Sequence, residues 1–208
     1  MRPSDSALVE KARRGDQDAF ARLVELSQGK VYNLALRLTG SPENASDVAQ
    51  EAFLNAWRGL PSFRGESSFS TWLYKLTSNA ATDFLRRQAR QRGLESPLSL
   101  DEEDSGLANL TPDPAPSPQQ QLEHRELQAA LSQGLAQLPR EQRQALSLRL
   151  AGLSYAEIAQ SLDVEQGTVK SRIARARLAL REYLQKTGNF SAPPASKQAE
   201  RTKGGEDA

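Results

Sequence analysis

Apolar residues recur at helical spacing along most of this chain. Phe20, Leu23, Val24, Val31, Leu34, Ala35 and Leu38 share one face of a helix, and Gly40 ends it. Ser41-Pro42 then restarts a helix, with Ser as N-cap and Pro at the first helical position. Its expected buried stripe is Ala45, Val48, Ala49, Ala52, Phe53, Ala56, Trp57 and Leu60. Pro61 and the polar, Gly-broken stretch from Ser62 to Ser68 predict a loop. Trp72, Leu73, Leu76, Ala80 and Phe84 form the apolar face of a further helix, which runs out in Arg86, Arg87, Arg90 and Arg92. Helical spacing returns at Leu122, with Leu127, Ala130, Leu131, Leu135 and Leu138 on one helix. The next helix starts at Pro139 and ends near Gly152. Ser154-Tyr155-Ala156-Glu157 has the spacing of a capping box ahead of Ile158, Ala159 and Leu162. After the turn Asp163-Val164-Glu165, a last helix carries Val169, Ile173, Ala176, Leu180 and Leu184.

Composition divides this helical series. Residues 93–121 hold six acids (Glu95, Asp101, Glu102, Glu103, Asp104 and Asp113), five prolines and no Lys or Arg. Such a stretch buries too little apolar surface to offset the entropy of ordering it, and it is expected to be a flexible acidic linker. The expected fold class is therefore all-α: two small helical domains, a helical bundle over 1–92 and a helix–turn–helix domain over 122–186, with a disordered tail over 187–208. The net charge of +1 over 208 residues conceals this unevenness.

Composition also excludes functions. The chain has no cysteine, hence no disulfide, thiolate metal site or Cys nucleophile. The single histidine, His124, lies beside the linker and is expected to be solvated. Without a Gly-rich phosphate loop, a metal motif or a nucleophile elbow, no enzyme activity, cofactor or metal is expected. The start MRPSDSALVEKARRGD carries no apolar signal-peptide core, and no apolar run approaches the roughly 20 residues that span a bilayer. No membrane insertion and a cytoplasmic location are expected.

Three constellations remain. The first is the helix–turn–helix from Ser154 to Leu184, whose last helix carries Lys170, Arg172, Arg175, Arg177 and Arg181 against one acid, Glu182. A helical wheel puts Gly167, Lys170, Ser171, Ala174 and Arg175 opposite Val169, Ile173 and Ala176, which suits a recognition helix in the major groove. The second is Leu54, which lies with Asp47, Gln50 and Glu51 away from the apolar stripe. That placement is either an ordinary exposed leucine or a protein contact. The third is the loop Ser62–Ser70 with Phe63 and Arg64, beside the polar face Lys75, Asn79, Thr82, Arg86 and Arg90. These groups suit unstacked nucleic acid, or else form a solvated basic face with Phe63 as a core plug.

These motifs resemble the sigma-70 family. The run 47–57, DVAQEAFLNAW, is similar to that family's polymerase-binding segment. The run 63–73, FRGESSFSTWL, is similar to the strand-opening segment of its extracytoplasmic-function (ECF) branch. The runs LPREQR at 138–143, GLSYAEIA at 152–159 and GTVKSRIARAR at 167–177 are similar to that branch's C-terminal DNA-binding domain. The resemblance covers roughly residues 5–92 and 122–186.

The resemblance implies a transcription initiation factor for a stress or envelope regulon. Its implied partners are core RNA polymerase, through the β′ clamp helices and β flap, then promoter DNA and an anti-sigma factor. It places Asp47, Gln50, Glu51, Phe53 and Leu54 at the clamp helices. Phe63, Arg64, Lys75, Asn79 and Arg86 go to the −10 element, where a flipped-out base is trapped, and Thr168, Lys170, Ser171, Arg172, Ala174 and Arg175 go to the −35 element. The acidic linker is implied to thread the polymerase's RNA channel. Asp163 stands where many relatives have Gly, a substitution that a left-handed backbone tolerates. Ala174 stands where the residue is often larger, which implies a different −35 preference.

Overall fold

The computed structural model describes residues 3–91 and 118–187, with side chains described over 6–91 and 126–187. Eight α-helices make up these residues: α1 (Pro3–Arg13), α2 (Gln17–Thr39), α3 (Pro42–Gly59), α4 (Phe69–Gln91), α5 (Pro118–Ala136), α6 (Arg140–Leu150), α7 (Tyr155–Leu162) and α8 (Gln166–Lys186). One 3-10 turn, Leu60–Ser62, follows α3. The all-α expectation holds. The expectations for the acidic linker and the tail fall almost wholly outside the described residues. The exception is that α5 begins at Pro118, four residues before the expected return of helix, because Pro favours the first turn.

The helix ends follow from local chemistry. Asp16 accepts from Ala19 N–H at 2.9 Å and caps α2, and Gly40 closes it in the left-handed region at φ 76°. Ser41 caps α3 with Pro42 directly after it. Ser68 accepts from Thr71 N–H at 3.0 Å at the head of α4.

In the N-terminal unit, α2, α3 and α4 pack on one another, and α1 lies on α2. The face of α3 is Ala45, Val48, Ala49, Ala52 and Ala56, all buried. These small side chains let α3 lie close to Val31, Leu34 and Ala35 of α2 and to Leu73 of α4. Phe53 and Trp57, expected in that buried stripe, are half-buried at its margin, where Trp57 meets Phe20 with ring centroids 4.9 Å apart. Arg37 and Tyr74 sit inside this unit. Burial lowers Arg37 and raises Tyr74 from their ordinary ranges, and their mutual attraction partly offsets both shifts.

In the C-terminal unit, α8 crosses α5, α6 and α7. Ile158 of α7, Leu148 of α6, and Val169, Ile173 and Ala176 of α8 are almost fully buried. Gly134 marks the closest approach of α5 to α8. A Cβ there would stand 2.6 Å from Leu180 Cδ1 and 2.8 Å from Tyr183 Cδ1.

A branched side chain at position 134 must displace the Leu180 and Tyr183 side chains of α8. Gly134→Val is expected to lower stability by about 1–3 kcal/mol. Urea unfolding reads this as a lower midpoint with an unchanged slope. An unchanged midpoint would show that the two helices do not pack as described.

Candidate nucleic-acid and protein-docking faces

The helix–turn–helix rests on the eight-residue helix α7, too short to persist in water without caps and packing. Its capping box is complete. Ser154 Oγ accepts from Glu157 N–H at 3.3 Å, while Glu157 Oε2 accepts from Ser154 N–H at 2.9 Å and from the Ser154 hydroxyl at 2.7 Å. Asp163 ends α7 in the left-handed region at φ 53°, and its N–H donates to Ala159 O. The turn then leads directly into α8.

On α8 the inward and outward faces separate as the wheel predicts. Val169, Ile173 and Ala176 are buried, while Lys170, Ser171, Ala174 and Arg175 are exposed. The other two residues expected at the −35 element differ. Thr168 is half-buried, and its carbonyl accepts from the Ser171 hydroxyl at 2.9 Å. Arg172 is also half-buried and is paired with Glu141 of α6 at 2.7 Å. The pair links α8 to α6, so Arg172 turns toward the domain rather than joining the open face.

In the N-terminal unit, Asp47, Gln50 and Leu54 stand exposed on α3, with Leu54 at 48%. Glu51 is half-buried and pairs with Arg87 of α4 at 2.7 Å, while Phe53 packs against the core. The open set is thus Asp47, Gln50 and Leu54.

The loop after α3 is anchored by aromatic contacts. Phe63 lies 4.9 Å from Trp72 and 6.5 Å from Phe69, ring to ring. Phe63 is thus half-buried against these rings at the base of the loop, while Arg64 is exposed. Asn79 and Arg86 are exposed on α4, and Lys75 is half-buried. Phe63, Arg64 and Lys75 line an open cleft of ≈ 230 Å³ whose far side is Gln160 and Ser161 of α7.

That far side was not legible in the sequence. The two helical units contact each other: α6 lies on α2, and α7 on α4. Thr71 Oγ1 of α4 donates to Glu157 Oε1 at 2.7 Å, and Gln144 Nε2 of α6 donates to Ser78 Oγ at 2.7 Å. Because the one hydroxyl proton of Thr71 goes to the carboxylate, Ser68, 2.8 Å from Thr71 Oγ1, is the donor within that pair. Arg143, beside Leu38, Ala81 and Leu85, is only 6% exposed. Nothing in the spacing of Thr71, Gln144 or Arg143 marks these contacts. Among the described residues there is no cluster of potential metal ligands, and no helix is long and apolar enough to cross a membrane.

Comparisons with known proteins fit this arrangement. Residues 23–91 match the family model for Sigma-70 region 2, and residues 128–180 match that for Sigma-70, region 4. The chain is 40% identical over 182 residues to the RNA polymerase sigma-H factor of Pseudomonas aeruginosa, an overlap of 87% of this chain and 94% of that one. It is also 40% identical over 183 residues to the ECF RNA polymerase sigma-E factor of Escherichia coli K12, covering 88% and 95% of the two chains. Among solved structures, a chain from the complex of CnrH with the cytosolic domain of CnrY superposes with a TM-score of 0.62 at 24% identity, over 88% of this chain and 97% of that one. A chain from the complex of the sigma factor RpoE with the anti-sigma factor NepR, from Bartonella quintana, does so with a TM-score of 0.58 at 24% identity, over 80% and 96%. At that identity the likeness is one of fold.

The Glu157 carboxyl is held below the ordinary glutamate range, first by the Ser154 backbone N–H, then by the Thr71 and Ser154 hydroxyls, with burial opposing them. A carboxyl whose pKa falls on folding stabilises the fold above its unfolded value, and that contribution is lost as pH drops through the folded value. Unfolding at neutral pH is therefore expected to show Glu157→Gln less stable than the wild type. The gap should shrink once pH falls below about 4.3, the ordinary glutamate value. A gap that does not vary with pH would remove the carboxylate from this role.

Proposed function

The chain belongs to the ECF branch of the sigma-70 family, and on that premise we propose how its two units divide the recognition of a promoter. The observation that carries the reading is the capped helix–turn–helix with its open basic face, preceded in the chain by a bundle whose α3 presents an exposed leucine among polar and acidic neighbours. In this reading residues 1–92 form the unit for core polymerase and the −10 element, and residues 122–186 the unit for the −35 element.

On α3, Asp47, Gln50 and Leu54 dock on the β′ clamp helices, and the chain also meets the β flap. Glu51 supports that face through Arg87. Phe53 stiffens it from beneath. An apolar side chain ringed by polar groups is the usual form of a small docking centre, because the leucine loses water on contact while its neighbours set orientation.

At the −10 element, Arg64, Lys75, Asn79 and Arg86 engage the non-template strand. Phe63 holds the loop in place. Cations contact phosphates, and the Asn79 amide is suited to the edge of an unpaired base. Extruding a base costs a few kcal/mol, which these contacts must offset.

At the −35 element, Lys170, Ser171 and Arg175 read base edges and phosphates in the major groove. Arg172 sets the angle of α8 through Glu141, Thr168 steadies Ser171, and Ala174 leaves room for a larger base-side group. The chain carries no chemistry of its own. It selects where polymerase starts, in the cytoplasm, for a stress or envelope regulon, and an anti-sigma factor restrains it.

The test is transcription with core polymerase and this chain on a genomic library, with the 5′ ends sequenced. Starts should cluster downstream of two shared sequence elements; random starts would sink the reading. Lys170→Ala or Arg175→Ala should each reduce starts at such a promoter by about 5- to 150-fold, the range for a base contact worth roughly 1–3 kcal/mol. Leu54→Asp should abolish core binding while leaving the helical content and melting temperature unchanged.

A further inference from the structure

We propose that a single halide ion occupies the small cavity between α4 and α6 and serves as the counter-charge of Arg143. The proposal does not depend on the functional reading above.

Arg143 stands on α6 and is only 6% exposed. Among the described residues its guanidinium makes one hydrogen bond, from Nη1 to Ala136 O, and at 3.4 Å that bond is long. Among the same residues it has no ion pair. The surrounding charges do not help it. Arg140 lies one turn earlier on α6, and Arg86 of α4 acts on Arg140 in turn. The acids nearby are engaged: Asp83 stands 3.7 Å from Arg86, and Glu141 stands 2.7 Å from Arg172. Burial holds Arg143 below the ordinary arginine range, and Arg140 adds to that shift. A guanidinium nonetheless stays charged, and a buried charge without a partner is costly. This seam is short of negative charge.

The cavity beside Arg143 supplies what an anion needs. At ≈ 10 Å³ it has room for about one water-sized particle. Its polar lining is Arg140, Arg143, Gln144 and Thr82, with no carboxylate. The Thr82 hydroxyl oxygen accepts from Gln144 Nε2 at 3.5 Å, and its own proton meets no acceptor among the described residues. Two guanidiniums and a hydroxyl thus line one small volume as donors. A water molecule there would accept hydrogen bonds but bring no charge. Phosphate and free carboxylates are too large for the space. A monatomic anion meets both limits and makes every bond to it charge-assisted.

The test uses the full chain in mixtures of sodium chloride and sodium gluconate at one ionic strength, so that screening is constant. Gluconate is too large for the cavity. As chloride replaces gluconate, the melting temperature should rise by about 2–4 °C and then level off. The nuclear resonance of chloride should broaden in proportion to the bound fraction. Arg143→Met keeps most of the side-chain bulk and removes the charge. It should weaken chloride binding by about tenfold or more, the size of one hydrogen bond to a charged group. Arg140→Gln, at an exposed position, should weaken it in the same direction, and it decides the matter if Arg143→Met does not fold. Circular dichroism checks that helix content is kept.

A melting temperature that ignores the anion overturns the proposal. Chloride binding that survives both substitutions also overturns it, because the ion then sits elsewhere. The run Asp101-Glu102-Glu103-Asp104 is a second source of negative charge in the chain. If chloride binds only after Asp101→Asn, Glu102→Gln, Glu103→Gln and Asp104→Asn are combined, a carboxylate of the chain itself is the occupant and the halide assignment falls.

Discussion

The Glu157 carboxylate accepts hydrogen bonds from Ser154 and from Thr71, residues that belong to different helical units. Toward Ser154 it completes the capping box. That box holds α7, and α7 with its left-handed Asp163 sets where α8 begins. The exposed row Lys170, Ser171, Ala174 and Arg175 faces outward because Val169, Ile173 and Ala176 are drawn into the core beneath it. Toward Thr71 the same carboxylate reaches the head of α4, which Ser68 caps. One side chain thus joins the start of the helix–turn–helix to the head of α4.

The N-terminal unit solves a different problem. Its α3 packs closely on one side and leaves Asp47, Gln50 and Leu54 exposed on the other. The inward alanines permit close approach to α2 and α4 without bulky interdigitation. The large rings, Phe53, Trp57, Phe63 and Trp72, lie at the margins of that unit. There they brace the loop and the outer face instead of filling the centre. The Glu51–Arg87 pair acts across the same margin. As a half-exposed pair it adds little stability, and its value is in orientation.

Family membership and the physical reading rest on different grounds. The relatives match nearly the whole chain at about 40% identity and carry the sigma-factor identity. The fold likeness at 24% identity carries only the helical architecture. The residue assignments stand on burial and hydrogen bonding in this chain. By those grounds Phe53 and Phe63 are half-buried, and Arg172 pairs with Glu141.

Local order was readable from the residues because it depends on near neighbours. Gly40, Ser41-Pro42 and the Ser154–Glu157 box mark helix ends through bonds that span four residues or fewer, and the stripes of α2, α3 and α8 follow from a fixed period. The open basic face of α8 and the exposure of Leu54 were legible for the same reason, since a helix wheel needs no tertiary information. The wheel does not say which helix covers a given face. The half-burial of Phe63 depended on Phe69 and Trp72 meeting it in space. Arg172 looked like its basic neighbours until Glu141, 31 residues earlier in the chain, met it across α6. The closure of the two units depended on single polar atoms, Thr71 to Glu157 and Gln144 to Ser78, separated by 86 and 66 residues. Periodicity and capping chemistry fixed the helices and the faces they could offer; the packing of distant helices, which no local pattern encodes, decided which of those faces are free.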